Sequence, residues 1–422
     1  MIFAEIIAVG SELLTPERTD TNSLWLTAKL NETGVDVMLK TIVGDDEARL
    51  EEMIRDALKR SELVITTGGL GPTEDDITRQ VSARAVGRKL VYHPELEEWL
   101  RERFRSWGRE MPEINKRQAF AIEGATILPN PNGSAVGMLI ETDDRVLAVL
   151  PGPRREMMPM FEDHVLPVIR EKADGPTVSR RLLRVSGMGE SAVDELIAPI
   201  YTSFPSVNTS ILFSKSEIEI HFAARSASER ESNEMLDLII ERVAAALGPA
   251  LFSTDGATMP EIVGRLLTDS GKTVAFAESC TGGLIAKRVT DVPGASSYFL
   301  ESAVTYANDA KIRALGVRRA TIERHGAVSK QTAEAMARGI RKKSGADYGI
   351  SVTGIAGPDG GSDEKPVGTV FIGFADENGA RSVKFVFPGD RYLIRWRSSQ
   401  AALDYLRRRL LKKSGEENIG SA

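Results

Sequence analysis

Glu278-Ser279-Cys280-Thr281-Gly282-Gly283 is a polar, glycine-bearing stretch between two apolar segments. The run Thr273 to Ala277 before it is typical of a buried strand, and the run Leu284 to Val289 after it is typical of a helix. A turn between a strand and a helix places small nucleophiles at the strand end and directs backbone N–H groups toward an anion or a developing oxyanion. Because Ser, Thr and Gly also cap helices, the stretch alone is equally consistent with a structural turn.

Two later segments place similar clusters after apolar runs. A strand is predicted over Ser302 to Tyr306, and the segment Tyr306 to Lys311 at its end brings in a lysine. The segment Thr353 to Gly361 is a second glycine-dense turn. Clusters at several strand ends predict a pocket at the edge of a sheet.

The side chains near this predicted pocket suggest nucleophilic chemistry without a Ser-His-Asp triad. Ser279, Cys280 and Thr281 are all possible nucleophiles. His325 is the one histidine of this region, so Lys311 is the best candidate base, since a lysine with a lowered pKa can deprotonate a serine. The alternative for Lys311 is an ordinary surface lysine on a helix.

Composition bounds the class of protein. The chain has 422 residues, enough for two or three domains, and a net charge of −6 that argues against a general nucleic-acid coat. Its single cysteine excludes an internal disulfide framework. We expect a cytoplasmic protein, because the sequence shows no signal-peptide pattern and no apolar run long enough to cross a membrane.

The first part of the chain alternates strands and helices. Apolar strands are predicted over Phe3 to Val9, Val35 to Val43 and Leu63 to Thr67, with helical periodicity between them. This alternation predicts a parallel sheet covered on both faces.

The third of these strands runs into a glycine-rich acidic loop, Gly68 to Asp76. Its glycines allow close approach to a ligand, and successive N–H groups can hold an anion. The loop carboxylates, together with Asp45 and Asp46 at another strand end, indicate a site for Mg²⁺ or a similar ion. A solvated acidic helix start is the alternative.

Several of these turns resemble those of the molybdopterin-binding-like domain of the CinA (competence/damage-inducible) family, over about the first 170 residues. The segments that carry the resemblance are Gly10 to Leu13, Gly68 to Asp76, Asn132 to Ser134 and Leu150 to Pro153. The resemblance implies a three-layer α/β domain that hydrolyses ADP-ribose with a divalent metal ion. Val136 and Arg154 stand where the family pattern has proline, which puts the shape of two loops, and hence the nucleotide preference, in question.

The residues assigned to this first site follow from the same resemblance. The nucleotide-binding set is Gly10, Glu12, Asn22, Gly68, Gly69, Gly71, Thr73, Gly133, Ser134, Pro151 and Gly152. The metal-binding set is Asp45, Asp75 and Asp76. A molybdopterin-type ligand is the alternative occupant of this domain.

A polar segment with a Gly-Pro break, Glu171 to Pro176, predicts a linker. A small α+β domain follows, similar to the KH-like module of CinA proteins. Its residues Ile218, Ile220 and Phe222 alternate with polar residues, which predicts a sheet with one solvated face. Because the domain has no G-x-x-G loop with flanking basic residues, we infer no nucleic-acid binding.

The third part resembles nicotinamide mononucleotide deamidase (PncC) domains throughout. The matching segments are Ala277 to Gly283, Val304 to Lys311, His325 to Ser329, Gly354 to Gly361 and Lys365 to Val370. The resemblance implies hydrolysis of the carboxamide of nicotinamide mononucleotide to the acid and ammonia, without a cofactor. It makes Ser279 the nucleophile and Lys311 its base, with Tyr306 supporting them by hydrogen bonding.

Substrate contacts in this third part are assigned by chemistry. Backbone N–H groups of Thr281, Gly282 and Gly283 can hold the oxyanion. Thr353, Arg391 and the turn beginning at Gly354 are candidates for the substrate phosphate, although Arg391 can equally be a helix-surface arginine.

The complete prediction is an α/β protein of three domains. Their bounds are residues 1–174 (molybdopterin-binding-like), 175–254 (KH-like) and 255–414 (deamidase), followed by a loose tail at 415–422. We expect a homodimer that recycles pyridine nucleotides and binds no membrane. The alternatives are a nucleotide-binding regulatory protein linked to competence or DNA damage, and an amidase with Cys280 as nucleophile.

Overall fold

The structure is a computed structural model that describes residues 2–142, 144–172, 177–214 and 216–414. The chain forms two compact units. The first contains the residues up to Ser179 together with Ala224–Asn233, and the second contains Arg180–Ala223 and the chain from Glu234 onward. The predicted linker residues 173–176 and the tail 415–422 lie outside the described residues.

In chain order the strands are β1 (Phe3–Val9), β2 (Asp36–Val43), β3 (Leu63–Thr67), β4 (Leu90–Tyr92), β5 (Phe120–Ile122), β6 (Thr126–Leu128), β7 (Gly137–Glu141), β8 (Val146–Leu150), β9 (Thr177–Ser186), β10 (Val207–Ser214), β11 (Glu217–Ser226), β12 (Leu251–Ser253), β13 (Val274–Glu278), β14 (Phe299–Val304), β15 (Tyr348–Gly354), β16 (Thr369–Asp376) and β17 (Gly379–Val386). The helices are α1 (Asn22–Glu32), α2 (Glu47–Arg60), α3 (Thr78–Ala85), α4 (Pro94–Ser106), α5 (Arg154–Met160), α6 (Leu166–Lys172), α7 (Glu190–Tyr201), α8 (Glu229–Leu247), α9 (Met259–Asp269), α10 (Leu284–Thr290), α11 (Asn308–Leu315), α12 (Arg319–His325), α13 (Lys330–Ser344) and α14 (Arg391–Ser414).

The first unit is built on a six-stranded sheet in the order β2-β1-β3-β8-β7-β6. Successive residues of β1 point to opposite faces, so Ile6 joins one hydrophobic core and Ile7 the other. Helices α1, α5 and α6 contribute to the first core, and α2, α3 and α4 to the second. The unit therefore has the predicted three layers.

The three strands that were predicted to form a parallel sheet do so, and the sheet adds an antiparallel edge. Strands β1, β2, β3 and β8 are parallel, but β7 runs antiparallel to β8 and β6 antiparallel to β7. The connections between β6, β7 and β8 are short turns, which can join only antiparallel neighbours.

The second unit contains a four-stranded sheet in the order β10-β11-β9-β12. Ile218, Ile220 and Phe222 of β11 are buried, and the residues that alternate with them are partly exposed. This pattern matches the alternation that predicted a sheet with one solvated face.

The second unit also contains a five-stranded sheet in the order β14-β13-β15-β16-β17. Strands β14, β13 and β15 are parallel, while β16 and β17 are antiparallel additions. Helices α9, α10 and α14 contribute to the core on one face, and α13 to the core on the other. Because β13, β14 and β15 are parallel, their carboxyl ends meet at one edge, where Ser279 follows β13.

Strand β14 begins and ends earlier than predicted. The sequence placed it over Ser302 to Tyr306, but it spans Phe299–Val304 because its partner β13 ends at Glu278, opposite Val304. Tyr306 therefore lies in the loop that leads into α11 rather than in the strand.

Candidate active sites

Ser279 opens a tight turn at the end of β13. Its side chain is nearly buried, and its backbone N–H donates to Val352 O at 2.9 Å on the neighbouring strand β15. Gly282 and Gly283 have φ values of +60° and +93°, in the left-handed region that favours glycine. The glycines thus make the turn sharp enough to end the strand and start α10.

Lys311 is a buried residue of α11, only 1% exposed, and not the surface lysine of the alternative interpretation. Its Nζ lies 3.0 Å from Ser279 Oγ, 2.9 Å from Thr305 O and 3.1 Å from Tyr306 O. Burial lowers the pKa of Lys311 because desolvation disfavours the ammonium. The structure therefore brings the predicted nucleophile and base into contact.

The side chain of Cys280, unlike that of Ser279, lies in an apolar environment. It is 4% exposed and belongs to the hydrophobic core that includes Phe276 and Ile285. Burial raises the pKa of the Cys280 thiol to about 12. A thiol held protonated in an apolar core is a poor nucleophile.

The start of α10 is occupied by a side chain of the protein. Glu278, fully buried, accepts hydrogen bonds from the N–H groups of Gly283 (2.9 Å), Ile285 (3.1 Å) and Ala286 (2.9 Å). The carboxylate complements the positive end of the helix dipole. It therefore takes the anion position that the sequence assigned to the substrate.

The predicted oxyanion donors are only partly available. Gly282 N–H donates to Ser279 O at 3.1 Å, and Gly283 N–H donates to Glu278. Within the described ranges, neither the N–H nor the buried hydroxyl of Thr281 has a hydrogen-bond partner. Of the three predicted donors, Thr281 is the one left to bind a ligand.

Two arginines of α14 lie beside this turn. Arg391 donates to Tyr306 Oη at 2.9 Å and to Gly357 O at 2.8 Å. Arg395, which sequence reasoning missed, donates to Thr281 O at 2.7 Å. The signal that could have found it is its spacing of four residues from Arg391, which places both on one helix face.

Tyr306 contacts the predicted catalytic pair through its backbone. Its carbonyl oxygen contacts Lys311, while its exposed hydroxyl pairs with Arg391. The predicted hydrogen bond from the Tyr306 side chain to Ser279 or Lys311 is therefore absent from the described hydrogen bonds of the site.

The other residues predicted to bind the substrate phosphate, Thr353 and Gly354, contact groups of the protein itself. Thr353 is buried and donates its hydroxyl to Ala327 O at 2.8 Å. Gly354 pairs with Val370 in the sheet, and a Cβ on Gly354 would lie 2.6 Å from Val370 Cγ2. These two residues shape the edge of the sheet.

The first unit has a cavity of 620 Å³ at the carboxyl ends of β1, β3 and β8. The predicted residues that line it are Glu12, Asn22, Gly68, Gly69, Gly71, Asp76, Ser134, Pro151 and Gly152. The predicted residues outside its lining are Gly10, Thr73, Gly133, Asp45 and Asp75. Arg18 and Gln118 line the cavity without any sequence signal that marked them.

Three of the predicted glycines make room for carboxylates. A Cβ added to Gly71 would lie 2.3 Å from Asp76 Oδ2, and one added to Gly10 would lie 2.5 Å from Glu12 Oε2. A Cβ on Gly133 would lie 2.0 Å from Glu156 Oε2. These three carboxylates line the cavity. Gly10 and Gly133 themselves lie outside the lining, but each leaves space for a carboxylate that belongs to it.

The structure does not bring the predicted metal set together. Asp45 Oδ2 accepts from Ser11 N–H at 2.9 Å, and among the described residues no group of three or more His, Cys, Asp or Glu can hold a metal. Mg²⁺, however, is usually held by one or two carboxylates and the substrate phosphates. Asp76 fits that role, because Thr73 bonds only its Oδ2 and leaves Oδ1 available.

The two departures from the family pattern differ in environment. Val136 is 2% exposed and belongs to a hydrophobic core, so its contribution is packing. Arg154 begins α5 and lines the cavity, where it adds a positive charge.

Comparison with known proteins agrees with this architecture. Family models match residues 5–171 ("Probable molybdopterin binding domain"), 180–253 ("Damage-inducible protein CinA KH domain") and 256–410 ("CinA C-terminal domain"). The chain is 46% identical to the CinA-like protein of Solibacter usitatus, over 97% of this chain and 99% of that protein. The chain belongs to the CinA family. The CinA-like protein of Koribacter versatilis is 45% identical over 97% of this chain and 100% of its own.

Membership in the CinA family confirms the predicted fold class and the resemblance stated from the motifs. Among solved structures, the competence/damage inducible protein CihA from Agrobacterium tumefaciens is 42% identical, covers 36% of this chain and 96% of its own, and gives a TM-score of 0.34. Throughout the part of the chain that the structure describes, every helix is too short or too polar to cross a membrane. The predicted domain boundaries and homodimer stay predictions.

Proposed function

We propose that this CinA protein recycles pyridine nucleotides and that its second unit hydrolyses nicotinamide mononucleotide to nicotinate mononucleotide and ammonia. The observation that carries the proposal is the contact of 3.0 Å between Lys311 Nζ and Ser279 Oγ, with the lysine buried. Ser–Lys pairs are an established variant of the catalytic triad.

The three oxygens around Lys311 explain how it acts as a base. An ammonium has three hydrogens and can donate one to each oxygen. The neutral amine keeps two hydrogens for the carbonyls of Thr305 and Tyr306, and its lone pair then faces the Ser279 hydroxyl. Burial favours this neutral form.

The proposed reaction proceeds in two halves. Ser279 Oγ attacks the carboxamide carbon while Lys311 takes the hydroxyl proton; the C–N bond then breaks, and Lys311 passes that proton to the departing nitrogen to give ammonia. Water attacks the resulting ester, Lys311 accepts its proton, and that proton returns to Ser279 Oγ as the acid leaves. The free N–H of Thr281 is the candidate donor to the oxyanion.

The charges near the turn support a phosphorylated substrate. Arg391 and Arg395 lie four residues apart on α14, and neither forms an ion pair among the described residues. A guanidinium binds a phosphate with charge-assisted hydrogen bonds. We propose that Arg391, which is the more exposed of the two, binds the phosphate.

The test is ammonia release from nicotinamide mononucleotide by the full chain, with Ser279→Ala and Lys311→Met beside it. We expect each variant to lose about 10³-fold or more in kcat, because the two groups act as one unit. A parent protein without ammonia release, or a fully active Ser279→Ala variant, would contradict the proposal.

For the first unit we propose metal-dependent hydrolysis of ADP-ribose in the 620 Å³ cavity. Asp76 and Glu12 would hold the divalent ion, which neutralises pyrophosphate charge and activates water when bound. Arg18 and Arg154 add positive charge to the cavity lining.

Release of AMP from ADP-ribose with Mg²⁺ tests this second activity. We expect Asp76→Asn to lower the rate by about 10²-fold and Asp45→Asn, outside the cavity lining, to leave it nearly unchanged. An equal loss of ADP-ribose hydrolysis in both variants would instead support the metal-binding set predicted from the sequence, which includes Asp45.

A molybdopterin-type ligand is a second candidate occupant of this cavity. The match of residues 5–171 to a molybdopterin-binding family model favours it. A fluorescent pterin that co-purifies with the protein, together with no turnover of ADP-ribose, would make ligand binding the role of the first unit.

A further inference from the structure

The second unit has another cavity, of 430 Å³, whose lining includes none of the proposed amidase residues. It lies against helices α9, α10 and α14 and strands β9, β10 and β11. The charged and aromatic side chains that line it are three cations, four carboxylates and one aromatic ring: Arg184, Lys287, Arg288, Glu217, Glu219, Glu261, Asp291 and Trp396.

Arg288 is the unusual member of this lining. It is only 7% exposed, and its hydrogen-bond partners are neutral: Nη1 donates to Ser399 Oγ at 2.8 Å and Nη2 donates to Gln400 Oε1 at 2.5 Å. Its guanidinium carbon lies 4.4 Å from the centre of the Trp396 ring. Burial lowers the pKa of Arg288 to about 10, so the group is still charged at neutral pH.

The other cations of the lining are paired with carboxylates. Arg184 donates to Glu217 and, at 2.7 Å, to Glu219. Lys287 pairs with Asp291 at 2.6 Å. Within the described residues, Arg288 forms no such ion pair, although a buried charge without a counter-charge is costly.

The surrounding bonds hold Arg288 in place. Gln400 accepts from Arg288 through Oε1 and donates through Nε2 to Glu217 Oε2 at 3.0 Å, so its amide is oriented by both neighbours. Each Nη of Arg288 uses one hydrogen for these partners and retains a second. The fixed guanidinium therefore has donors left for a ligand.

We propose that this cavity binds a small monoanionic carboxylate that also carries hydroxyl or ammonium groups. Glu217 and Asp291 attract Arg288 electrostatically without a direct ion pair, and the ligand carboxylate supplies that direct pair. Two of the four carboxylates of the lining, Glu219 and Glu261, accept hydrogen bonds from the ligand donors. The same acidic groups repel a multiply charged anion such as phosphate, which makes the site selective for a single negative charge.

The volume and position of the site agree with a small ligand. A cavity of 430 Å³ lies in the usual range for metabolite pockets. Ser214 lies in its lining and is partly exposed, so a large side chain at this position would fill the space without altering the Arg288 hydrogen bonds.

The test is titration calorimetry of the full chain with glycerate as the probe and inorganic phosphate as the comparison. We expect glycerate to bind, Arg288→Met to weaken binding by about tenfold or more, and Arg288→Lys to weaken it less. Ser214→Trp fills the cavity and is expected to abolish binding. Arg265→Gln, an arginine outside the lining that pairs with Asp255, is the matched control and is expected to bind as the parent does.

Three results would overturn the proposal. They are no glycerate binding by the parent, unchanged binding in a folded Ser214→Trp variant, and tighter binding of phosphate than of glycerate. Far-ultraviolet circular dichroism and the urea midpoint establish folding for each variant. Because Ser214→Trp leaves Arg288 untouched, the proposal is testable even if Arg288→Met does not fold.

Discussion

Ser279 and Cys280 are adjacent residues with opposite surroundings. The serine hydroxyl contacts Lys311, whereas the thiol lies in the core with a pKa of about 12. We predict that Cys280→Ala keeps ammonia release within about twofold of the parent and lowers the free energy of unfolding by about 1 kcal/mol, because it removes only buried packing. Steady-state kinetics and urea unfolding measure the two effects; loss of activity in a folded Cys280→Ala variant would instead make the thiol the nucleophile.

The pH dependence of the amidase reports on Lys311. Burial lowers its pKa, and only the neutral amine can accept the Ser279 proton. We predict that kcat/KM rises with pH and levels off once Lys311 has lost its proton, with a midpoint below the usual value for lysine. A pH–rate profile of the free enzyme checks this, and a midpoint at or above an ordinary lysine value would exclude a desolvated base.

Sequence reasoning paired Ser279 with Lys311, which are in contact, but did not predict the residues around them. Ser279 and Lys311 follow from strand ends and from the family motif, because both are local features of the chain. The hydrogen bonds of Glu278, Arg395 and Tyr306 depend on how distant segments meet. Local sequence pattern therefore could not show that Glu278 occupies the N–H of Gly283, one of the three groups expected to bind the substrate.

At the scale of the element, Glu278 fixes the start of α10. Its carboxylate accepts three backbone hydrogen bonds while fully buried. We predict that Glu278→Gln lowers the free energy of unfolding by roughly 3 kcal/mol, since the amide loses the charge and turns donors toward N–H groups.

A second capping glutamate provides the control. Glu261 caps α9 through Thr258 N–H at 2.7 Å, at a more exposed position. Glu261→Gln should cost only about 1 kcal/mol in the same urea experiment, because a solvated cap is easily replaced by water. Equal losses in the two variants would mean that burial of the Glu278 cap is unimportant.

The loop after β3 depends on Gly71 for a steric reason. A Cβ there would collide with Asp76, and the backbone of Gly71 is not in the left-handed region, so Gly71→Ala tests space alone. We predict at least a roughly tenfold loss of Mg²⁺-dependent ADP-ribose hydrolysis, because the carboxylate must move. Gly189→Ala, where a Cβ meets nothing within 4 Å, is the matched control and should behave as the parent does.

The elements themselves were largely predictable. Apolar runs and helical periodicity located the strands and helices of both sheets, because each buries a regular face. Strand direction at the edges was missed, since the antiparallel β6 and β7 contain the same apolar residues that a parallel strand would. The position of β14 was also shifted, because pairing with β13 rather than its own sequence sets its ends.

At the scale of the whole molecule, each compact unit has its own hydrophobic cores and its own candidate site. The first unit has the 620 Å³ cavity at the carboxyl ends of β1, β3 and β8. The second unit holds Ser279 and Lys311 at the edge of its five-stranded sheet. Among the described residues, the side-chain hydrogen bonds that join Ser279 and Lys311 involve no residue of the cavity lining.

We therefore predict that the two proposed activities are separable in the intact chain. Ser279→Ala should abolish ammonia release and leave ADP-ribose hydrolysis within about twofold of the parent, and Asp76→Asn should do the reverse, because sites that share no interacting residues contribute independently. Both reactions are measured on the same preparation of each variant, so that a folding defect is recognised as loss of both. If Ser279→Ala, shown to be folded, also slowed ADP-ribose hydrolysis, the two sites would be energetically coupled, and the CinA chain would act as one regulated enzyme.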